Sequence, residues 1–414
     1  TRMMRVYEGL VAGLLRADPS GELALIAADP LADALLVRDI LYVLSMSTSL
    51  EQRRRIRERL GVRASHGDTL ERAVSSPCQA WRDGPPRVQC EHVDRLAMHA
   101  HDGLERRLLD EVDVISAVSG GAIPATYFVL HGDQLFTDFE RGFLNRDVAA
   151  GLRRRMFFDP RNWFRLASSE FSRGDIYAEY FDQKLFRGAT FADLRTARQG
   201  PFLILNATDI GNAGRFDFTQ DSFDVLCMKL DSFPLSRAVA ASSSVPALFT
   251  PITLRNEGGG CGHQLPDWVG KAVKEEDHAS RRHFRANILS ARADSSRFPY
   301  LHLVDGALSD NLGVRAPLDA LTDEDDPSGL QRLLAQGEIR TVVFIALNAS
   351  DSQAERIAGS RQPPALFDML RLMGTVPVDR YSVESKVLLR QTLEAWSERL
   401  DNGTGSKGLY FIDL

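Results

Sequence analysis

The sequence has 414 residues, of which 44% are hydrophobic and 26% are charged. This is the composition of a globular protein with a large core. The formal net charge of −6 and the sequence pI near 5.9 argue against the strongly basic surface of a nucleic-acid-binding protein. No stretch of the sequence reaches the roughly 18 uninterrupted apolar residues of a membrane-spanning helix, so none is predicted.

The cysteines and histidines give little indication of a bound metal. The four cysteines are too few to indicate a disulfide framework in a chain of this length, and a pairing of Cys78 with Cys90 is left open. The Cys and His residues at 90–92, 99–101 and 261–263 do not form a complete ligand set at zinc-site spacing. We therefore expect no metal site.

The first 90 residues differ in pattern from the rest. Apolar residues at helical spacing predict mostly helices up to about residue 75, and the prolines and glycine of 76–90 predict a loop or linker. From about residue 104 the pattern changes to short apolar runs that alternate with helical segments. The predicted helices are Leu104–Glu111, Ala122–Leu130 and Leu235–Ser243. The predicted strands are Val112–Val118, Phe202–Ala207, Arg215–Thr219, His302–Val304 and Thr341–Leu347. This alternation favours an α/β layered fold with a mostly parallel sheet.

Aromatic residues are concentrated between positions 136 and 186. One interpretation is a helical subdomain with an aromatic core. The other is a lid or lipid-contact surface beside an active site. The two interpretations are compatible.

A candidate nucleophile lies in the segment Val112-Asp-Val-Ile-Ser-Ala-Val-Ser-Gly-Gly-Ala-Ile-Pro-Ala125. It predicts a strand, a sharp turn and a helix, with Ser119 at the turn, and resembles a G-x-S-x-G elbow whose first glycine is replaced by Ala117. Such a turn exposes the serine Oγ at a helix N-terminus, where free N–H groups favour developing negative charge. The backbone N–H of Gly120 is the natural oxyanion donor, and Gly121 continues the tight turn. The alternative is a helix-capping serine in a glycine turn.

A serine nucleophile needs a base, and Asp305 is the best candidate. It ends a predicted strand in His302-Leu-Val-Asp-Gly-Ala-Leu-Ser-Asp-Asn-Leu-Gly313, and no histidine follows it in the chain. An order of serine, aspartate and then histidine is therefore impossible. An earlier histidine such as His99 could still serve, although nothing near it resembles an active-site loop. A carboxylate that acts directly on the serine is the simpler solution. Gly306 lets the backbone turn away, while Asp310 and Asn311 support the loop. The alternative is a turn aspartate before glycine.

Together these motifs resemble the patatin-like phospholipase family, in its bacterial branch. The resemblance rests on SAVSGGA around Ser119, on VDGALSDNLG around Asp305, on the segment Ala240–Pro251 (AASSSVPALFTP) between them, and on Leu205–Asp209 followed by Arg215–Phe218. It covers roughly residues 104–348, and more loosely extends to about 382. It implies a three-layer α/β/α fold and hydrolysis of acyl esters of lipids by a Ser119–Asp305 dyad, without metal or cofactor.

The resemblance also implies a division of the chain and a set of partners. Residues 1–90 form a helical N-terminal region, and 91–414 form the acyl hydrolase domain, with a helical insertion at about 132–190 and a long insertion at about 255–299. The expected partner is a phospholipid or another acyl ester, met through peripheral membrane contact, in a membrane-associated or exported protein. Oligomeric state, head group and acyl chain are left undetermined.

One family element is missing from the sequence. The glycine-rich loop that precedes the serine and supplies oxyanion donors has no counterpart, because residues 87–111 contain only Gly103. Either a segment is absent between about 88 and 104, or another part of the N-terminal region supplies the donors, or the protein is a catalytically silent binding scaffold. A peptidase or thioesterase that uses the same dyad is a further alternative.

Overall fold

The computed structural model describes residues 112–168, 171–196, 200–246, 249–322, 330–336, 341–348, 366–400 and 408–413, with single positions at 339, 359, 361 and 363. The predictions for the N-terminal region, its loop and the helix Leu104–Glu111 lie outside these residues. The chain divides into two compact units, and the larger one comprises residues 113–342 and 350–409. The described part of the smaller unit is limited to residues 112, 343–348 and 410–413.

The strands form two sheets. They are β1 Val114–Val118, β2 Phe202–Asp209, β3 Gly214–Asp217, β4 Ile252–Arg255, β5 Tyr300–Asp305, β6 Thr341–Ala346 and β7 Gly408–Asp413. In the main sheet β1, β2, β5 and β4 lie side by side in this order, and β3 also pairs with β2. β6 and β7 pair with each other in a two-stranded sheet.

The main sheet is mixed. β1 is parallel to β2, whereas the pairings of β2 with β3, β2 with β5 and β4 with β5 are antiparallel. The predicted α/β class is confirmed, and the sheet with its packed helices agrees with the α/β/α sandwich. The expectation of a mostly parallel sheet does not hold for the described strands. The tight turn after β2 can only reverse the chain, and a short apolar run does not reveal its direction in the sheet.

Helices make up most of the rest of the described chain. They are α1 Ala122–His131, α2 Val148–Phe157, α3 Pro160–Leu166, α4 Arg173–Phe181, α5 Phe191–Thr196, α6 Gln220–Val225, α7 Leu235–Ser243, α8 Asp267–Val273, α9 Arg281–Arg292, α10 Ala307–Asp310, α11 Arg315–Thr322, α12 Leu330–Gln336 and α13 Leu366–Leu400. Of the described helices, none combines the length and apolar character needed to cross a membrane.

Local sequence explains where several helices begin and end. α1 has Pro124 in its first turn, where a missing N–H costs little, and ends before Gly132, whose φ is +57°. α4 begins with a capping box of Ser172 and Asp175. α7 coincides with its prediction because the small residues of 235–243 pack without steric conflict, and nearly all of them are buried.

The segment 255–299 contains α8 and α9. These helices pack through a small hydrophobic cluster of Trp268, Val269, Ala272 and Ala286. A disulfide between Cys227 and Cys261 links this segment to the chain just after α6, with a Cα–Cα distance of 5.6 Å. Cys261 is therefore not available as a metal ligand. The short strand β4 precedes the segment and was not predicted, because four residues are too few for a periodic signal.

Candidate active site

Ser119 occupies the sharp turn between β1 and α1. Its φ is +53°, a left-handed conformation that is costly for a residue with a Cβ. The preceding residue Val118 is extended and the following residues enter a helical turn. The backbone therefore reverses at one residue, and this is the strained elbow that the sequence motif predicted.

The side chains of Ser119 and Asp305 are in direct contact. Ser119 Oγ donates a hydrogen bond of 2.7 Å to Asp305 Oδ2, across 186 positions of sequence. The other oxygen, Asp305 Oδ1, accepts a 2.9 Å hydrogen bond from the backbone N–H of Ala307. The carboxylate is thus fixed at both oxygens, with one of them directed at the serine. This geometry allows proton transfer from the hydroxyl to the carboxylate.

The mixed sheet brings these two residues together. β1 runs parallel to β2 and its last residue, Val118, pairs with Asn206. β5 runs antiparallel to β2 on the other side, and its last residue, Asp305, pairs with Ala207. The ends of β1 and β5 therefore meet at adjacent residues of one central strand. The contact depends on this register, because a shift by one residue would turn the side chain to the other face of the sheet.

Burial gives Asp305 the properties of a base. The residue is only 4% exposed, and this burial raises the pKa of its carboxyl to about 6, although the hydrogen bonds from the Ala307 N–H and the Ser119 hydroxyl act in the opposite direction. A carboxylate with a pKa near 6 is ionised at neutral pH and is a better proton acceptor than an ordinary aspartate.

Gly120 and Gly121 follow the serine in an open environment. A Cβ placed on either residue would meet no atom of the described residues within 4 Å. The motif suggested that small residues are needed here for close packing. Within the described structure Gly120 and Gly121 do not have that role. The small residue that packs beside the turn is Ala122, which is fully buried. As far as the described residues extend, the space around the two glycines leaves room for a substrate carbonyl next to the Gly120 N–H, which lies in the first turn of a helix and has no acceptor within that helix.

Gly306 makes a close backbone approach. A Cβ at this position would lie 2.3 Å from the carbonyl oxygen of Asn206. Its N–H donates to Ser242 O at 3.1 Å. Glycine is required here because β5 and β2 approach each other closely beside the aspartate.

Asp310 and Asn311 connect the loop to neighbouring helices. Asp310 is fully buried, and its two carboxylate oxygens accept hydrogen bonds from the N–H groups of Val314 at 3.2 Å and Arg315 at 2.8 Å, at the start of α11. Asn311 Nδ2 donates to Ser382 Oγ of α13 at 2.9 Å. Both contacts hold the loop from outside, and neither side chain is hydrogen-bonded to the Ser119–Asp305 pair within the described residues.

Residues 95–318 match the family model of the patatin-like phospholipases, and this match spans more than half of the chain. The chain belongs to this family. No curated protein matches it. The match includes Ser119 and Asp305, and membership supports hydrolysis of lipid acyl esters as the general activity. The glycine-rich loop of the patatin-like family would precede the serine, so its position falls outside the described residues.

The sequence analysis missed the central position of Ser242. Its Oγ accepts a 3.0 Å hydrogen bond from the backbone N–H of Ser119 and donates a 2.7 Å hydrogen bond to Asn206 O. It therefore links the elbow to β2 from the end of α7. The segment Ala240–Pro251 was noted only for its family resemblance. A serine run at the end of a buried helix was the available signal, because buried hydroxyls must find partners.

Asn206 is a second residue that the sequence analysis did not single out. It is fully buried in β2, and its Nδ2 donates to Ser116 Oγ at 3.0 Å and to Ala117 O at 3.2 Å, both on β1. Its Oδ1 accepts from Arg215 at 3.2 Å. An asparagine inside the apolar run FLILNA was a detectable signal, since a buried amide needs a full set of partners.

Tyr177 anchors α4 beneath the end of α7. It is almost completely buried, hydrogen-bonds Ser243 and stacks on Phe249 with ring centroids 4.0 Å apart. This burial raises the pKa of its hydroxyl to about 12, and the nearby Asp305 charge adds to the effect. Tyr177 therefore remains a neutral hydrogen-bonding residue at all physiological pH values.

We predict that Ser242→Ala lowers kcat about 10- to 100-fold with little change in KM. The substitution leaves the Ser119 N–H and the Asn206 carbonyl without their partner, which costs about 1–3 kcal/mol per buried group and releases the elbow. Steady-state kinetics on a lipid ester give the kcat and KM. The matched control is Ser244→Ala, because the one hydrogen bond of Ser244 Oγ among the described residues is the one it donates to Ala240 O in the same segment. Equal kcat values for the two variants would contradict the positioning role of Ser242.

Proposed function

We propose that this protein hydrolyses fatty-acyl esters of phospholipids and lysophospholipids through a Ser119–Asp305 dyad. The observation that carries the proposal is the 2.7 Å hydrogen bond from Ser119 Oγ to the buried carboxylate of Asp305. Membership in the patatin-like family supports the lipid ester as the class of substrate. Within the described residues no histidine is hydrogen-bonded to either side chain, so the carboxylate is the group in position to take the proton.

In the first half of the reaction, Ser119 Oγ attacks the ester carbonyl and its proton passes to Asp305 Oδ2. The tetrahedral intermediate then collapses, the ester C–O bond breaks, and Asp305 returns the proton to the departing alcohol. The products of this half are an acyl group bound to Ser119 and the alcohol that carried it, which is a lysophospholipid from a phospholipid or a glycerophosphodiester from a lysophospholipid. The strained elbow places the Oγ at the turn, from which it can approach the carbonyl carbon.

In the second half, Asp305 takes a proton from water, which attacks the acyl carbonyl. The acyl–serine bond breaks, the proton returns to Ser119 Oγ, and a fatty acid leaves. Both tetrahedral intermediates carry negative charge on the former carbonyl oxygen. The Gly120 N–H and the N-terminal end of α1 stabilise that charge, as each such donor typically contributes about 10²–10³ in rate.

The test is fatty-acid release from mixed phospholipid and lysophospholipid micelles, with wild type beside Ser119→Ala. Release by the wild type that is absent in the variant supports the proposal. A fluorophosphonate probe gives a second readout, because covalent labelling at Ser119 requires an activated hydroxyl. A folded wild type that neither releases fatty acid nor takes up the probe would favour a silent lipid- or protein-binding scaffold, the reading motivated by the missing glycine-rich loop. Probe labelling without release from lipids would instead point to another acyl substrate, such as a thioester or peptide.

We also propose that the protein works at a membrane surface in an oxidising compartment. A phospholipid substrate requires contact with a lipid surface. The Cys227–Cys261 disulfide supports the compartment, because such bonds persist outside the reducing cytosol. Cys261 is exposed, so the bond is accessible to reductants.

We predict that Cys227→Ser with Cys261→Ser lowers the free energy of unfolding by about 3–4 kcal/mol, because the bond closes a loop of 34 residues. Urea titration measures the change, and wild type treated with a thiol reductant should match the double variant.

Peptide mapping of protein alkylated at the moment of cell lysis tests the compartment. Free thiols at both positions would contradict an oxidising location.

A further inference from the structure

Two groups of aromatic residues occur in the segment that the sequence analysis marked as aromatic-rich. One group packs into a buried core, with Phe139 stacked on Phe143 and Tyr177 packed against Phe181. The other group is exposed at the turn between α2 and α3, and we call it the aromatic elbow. Its members are Phe157, Phe158, Trp163 and Phe164, with exposed fractions of 57%, 75%, 55% and 82%. Four large exposed aromatic side chains within eight residues mark an interaction surface rather than a packing defect.

The aromatic elbow is held in one conformation by its own hydrogen bonds. Trp163 Nε1 donates to Phe157 O at 3.1 Å, and the buried Asn162 donates through Nδ2 to Arg155 O at 3.0 Å. Asp159 caps α3 by accepting the Arg161 N–H, and Pro160 occupies the first position of the helix. The exposure of the four aromatic side chains is therefore built into the turn.

Positive charge surrounds the aromatic elbow. Residues 148–168 contain five arginines and one acidic residue, Asp159, although the whole chain has a net charge of −6. Arg153, Arg154 and Arg161 are exposed, and none of them forms an ion pair within the described residues. Exposed apolar side chains with exposed guanidinium groups beside them in the chain match an interface that is apolar inside and anionic at its rim.

We propose that the aromatic elbow docks this protein onto membranes that contain anionic phospholipid. The exposed phenylalanines enter the boundary between head groups and acyl chains, Trp163 lies at the interface, and the arginines contact lipid phosphates. The inference deepens the membrane contact stated under the proposed function. It also has a readout that does not require hydrolysis, because vesicle binding is measured with the Ser119→Ala protein.

The aromatic elbow belongs to the same compact unit as the dyad. α2 packs against α4, and α4 packs against α7. Ser242 of α7 accepts the hydrogen bond from the backbone N–H of Ser119. Docking through the aromatic elbow therefore brings the hydrolytic unit itself to the lipid surface.

The test is sedimentation with vesicles of phosphatidylcholine alone and of phosphatidylcholine with phosphatidylglycerol, using full-length Ser119→Ala protein. We expect roughly tenfold or tighter binding to the anionic vesicles than to the neutral ones. Binding should also shift the tryptophan emission to shorter wavelength, and this shift should be lost in Trp163→Phe. The double variant Phe158→Ala/Phe164→Ala should bind the anionic vesicles at least roughly tenfold more weakly. Arg153→Glu/Arg154→Glu should remove the preference for anionic lipid.

The control is Phe284→Ala, which removes an exposed phenylalanine, 54% accessible, from α9, outside the aromatic elbow. This variant should bind vesicles as the parent protein does. All variants should have the circular dichroism spectrum of the parent. When Ser119 is restored, they should also hydrolyse a soluble short-chain ester at the rate of the wild type. Unchanged binding by Phe158→Ala/Phe164→Ala would overturn the proposal, as would equal binding to neutral and anionic vesicles. Self-association that disappears in the same double variant, with no vesicle binding by the parent, would assign the surface to a second copy of the chain instead.

Discussion

Ser119→Ala is expected to lower the hydrolysis of lipid esters by at least about 10⁴-fold, because no acyl intermediate can form without the Oγ. The fold should be retained, since the partly buried side chain makes one hydrogen bond among the described residues, to Asp305. Fatty-acid release under single-turnover conditions measures the loss, and circular dichroism with thermal unfolding confirms the fold.

Ser119→Gly separates the chemistry from the strain at this position. Glycine adopts a φ of +53° without the steric cost that serine bears there. We expect this variant to be as inactive as Ser119→Ala. Its free energy of unfolding should equal or exceed that of the wild type. Activity near wild type in either variant would rule out Ser119 as the nucleophile.

Asp305→Asn is expected to lower activity by about 10⁴-fold while making the protein more stable at neutral pH. The amide keeps the shape of the carboxylate but cannot accept the serine proton. The wild-type carboxyl has a pKa of about 6 in the fold and an ordinary value of 3.8. Between these two values the folded protein holds a proton that the unfolded chain has released, so stability falls as the pH rises through this range. The difference between the two pKa values corresponds to a loss of about 3 kcal/mol in the free energy of unfolding of the wild type at pH 7.

The pH dependence gives two separate checks on Asp305. For the wild type, kcat/KM should rise with pH to a plateau above about 6, because only the ionised carboxylate accepts the proton. The stability advantage of Asp305→Asn, measured by urea titration, should be largest near pH 7 and vanish near pH 4. Glu276→Gln is the matched control, because it removes an exposed carboxylate, and it should alter neither curve. A flat kcat/KM between pH 5 and 7 would contradict a base with this pKa.

Stability and activity are opposed at this site for a physical reason. A carboxylate that is 4% exposed is poorly solvated, which destabilises the native state and at the same time raises its basicity. The left-handed Ser119 shows the same relation, since the strained turn places its Oγ against Asp305. Substitutions that relieve either cost are expected to produce stable but inactive protein.

The sequence by itself determined the local elements around the site and the identity of the candidate dyad. The turn at Ser119-Gly120-Gly121, the helix that follows it and the helix Leu235–Ser243 could be predicted because small residues, glycines and apolar periodicity are local signals. Asp305 could be singled out because an aspartate before glycine ends an apolar strand and no histidine follows. Its role as the base of the reaction stays a prediction.

The tertiary structure alone decided how these pieces meet. The antiparallel pairing of β5 with β2, the contact of Ser119 with Asp305 and the link made by Ser242 all join residues more than 30 positions apart. Pairing direction and register are determined by packing across the sheet. The sequence of a single short strand does not indicate which strand pairs with it or in which direction. The division of the aromatic segment into a buried core and the aromatic elbow has the same origin, because composition is a property of the chain whereas burial depends on what packs against it.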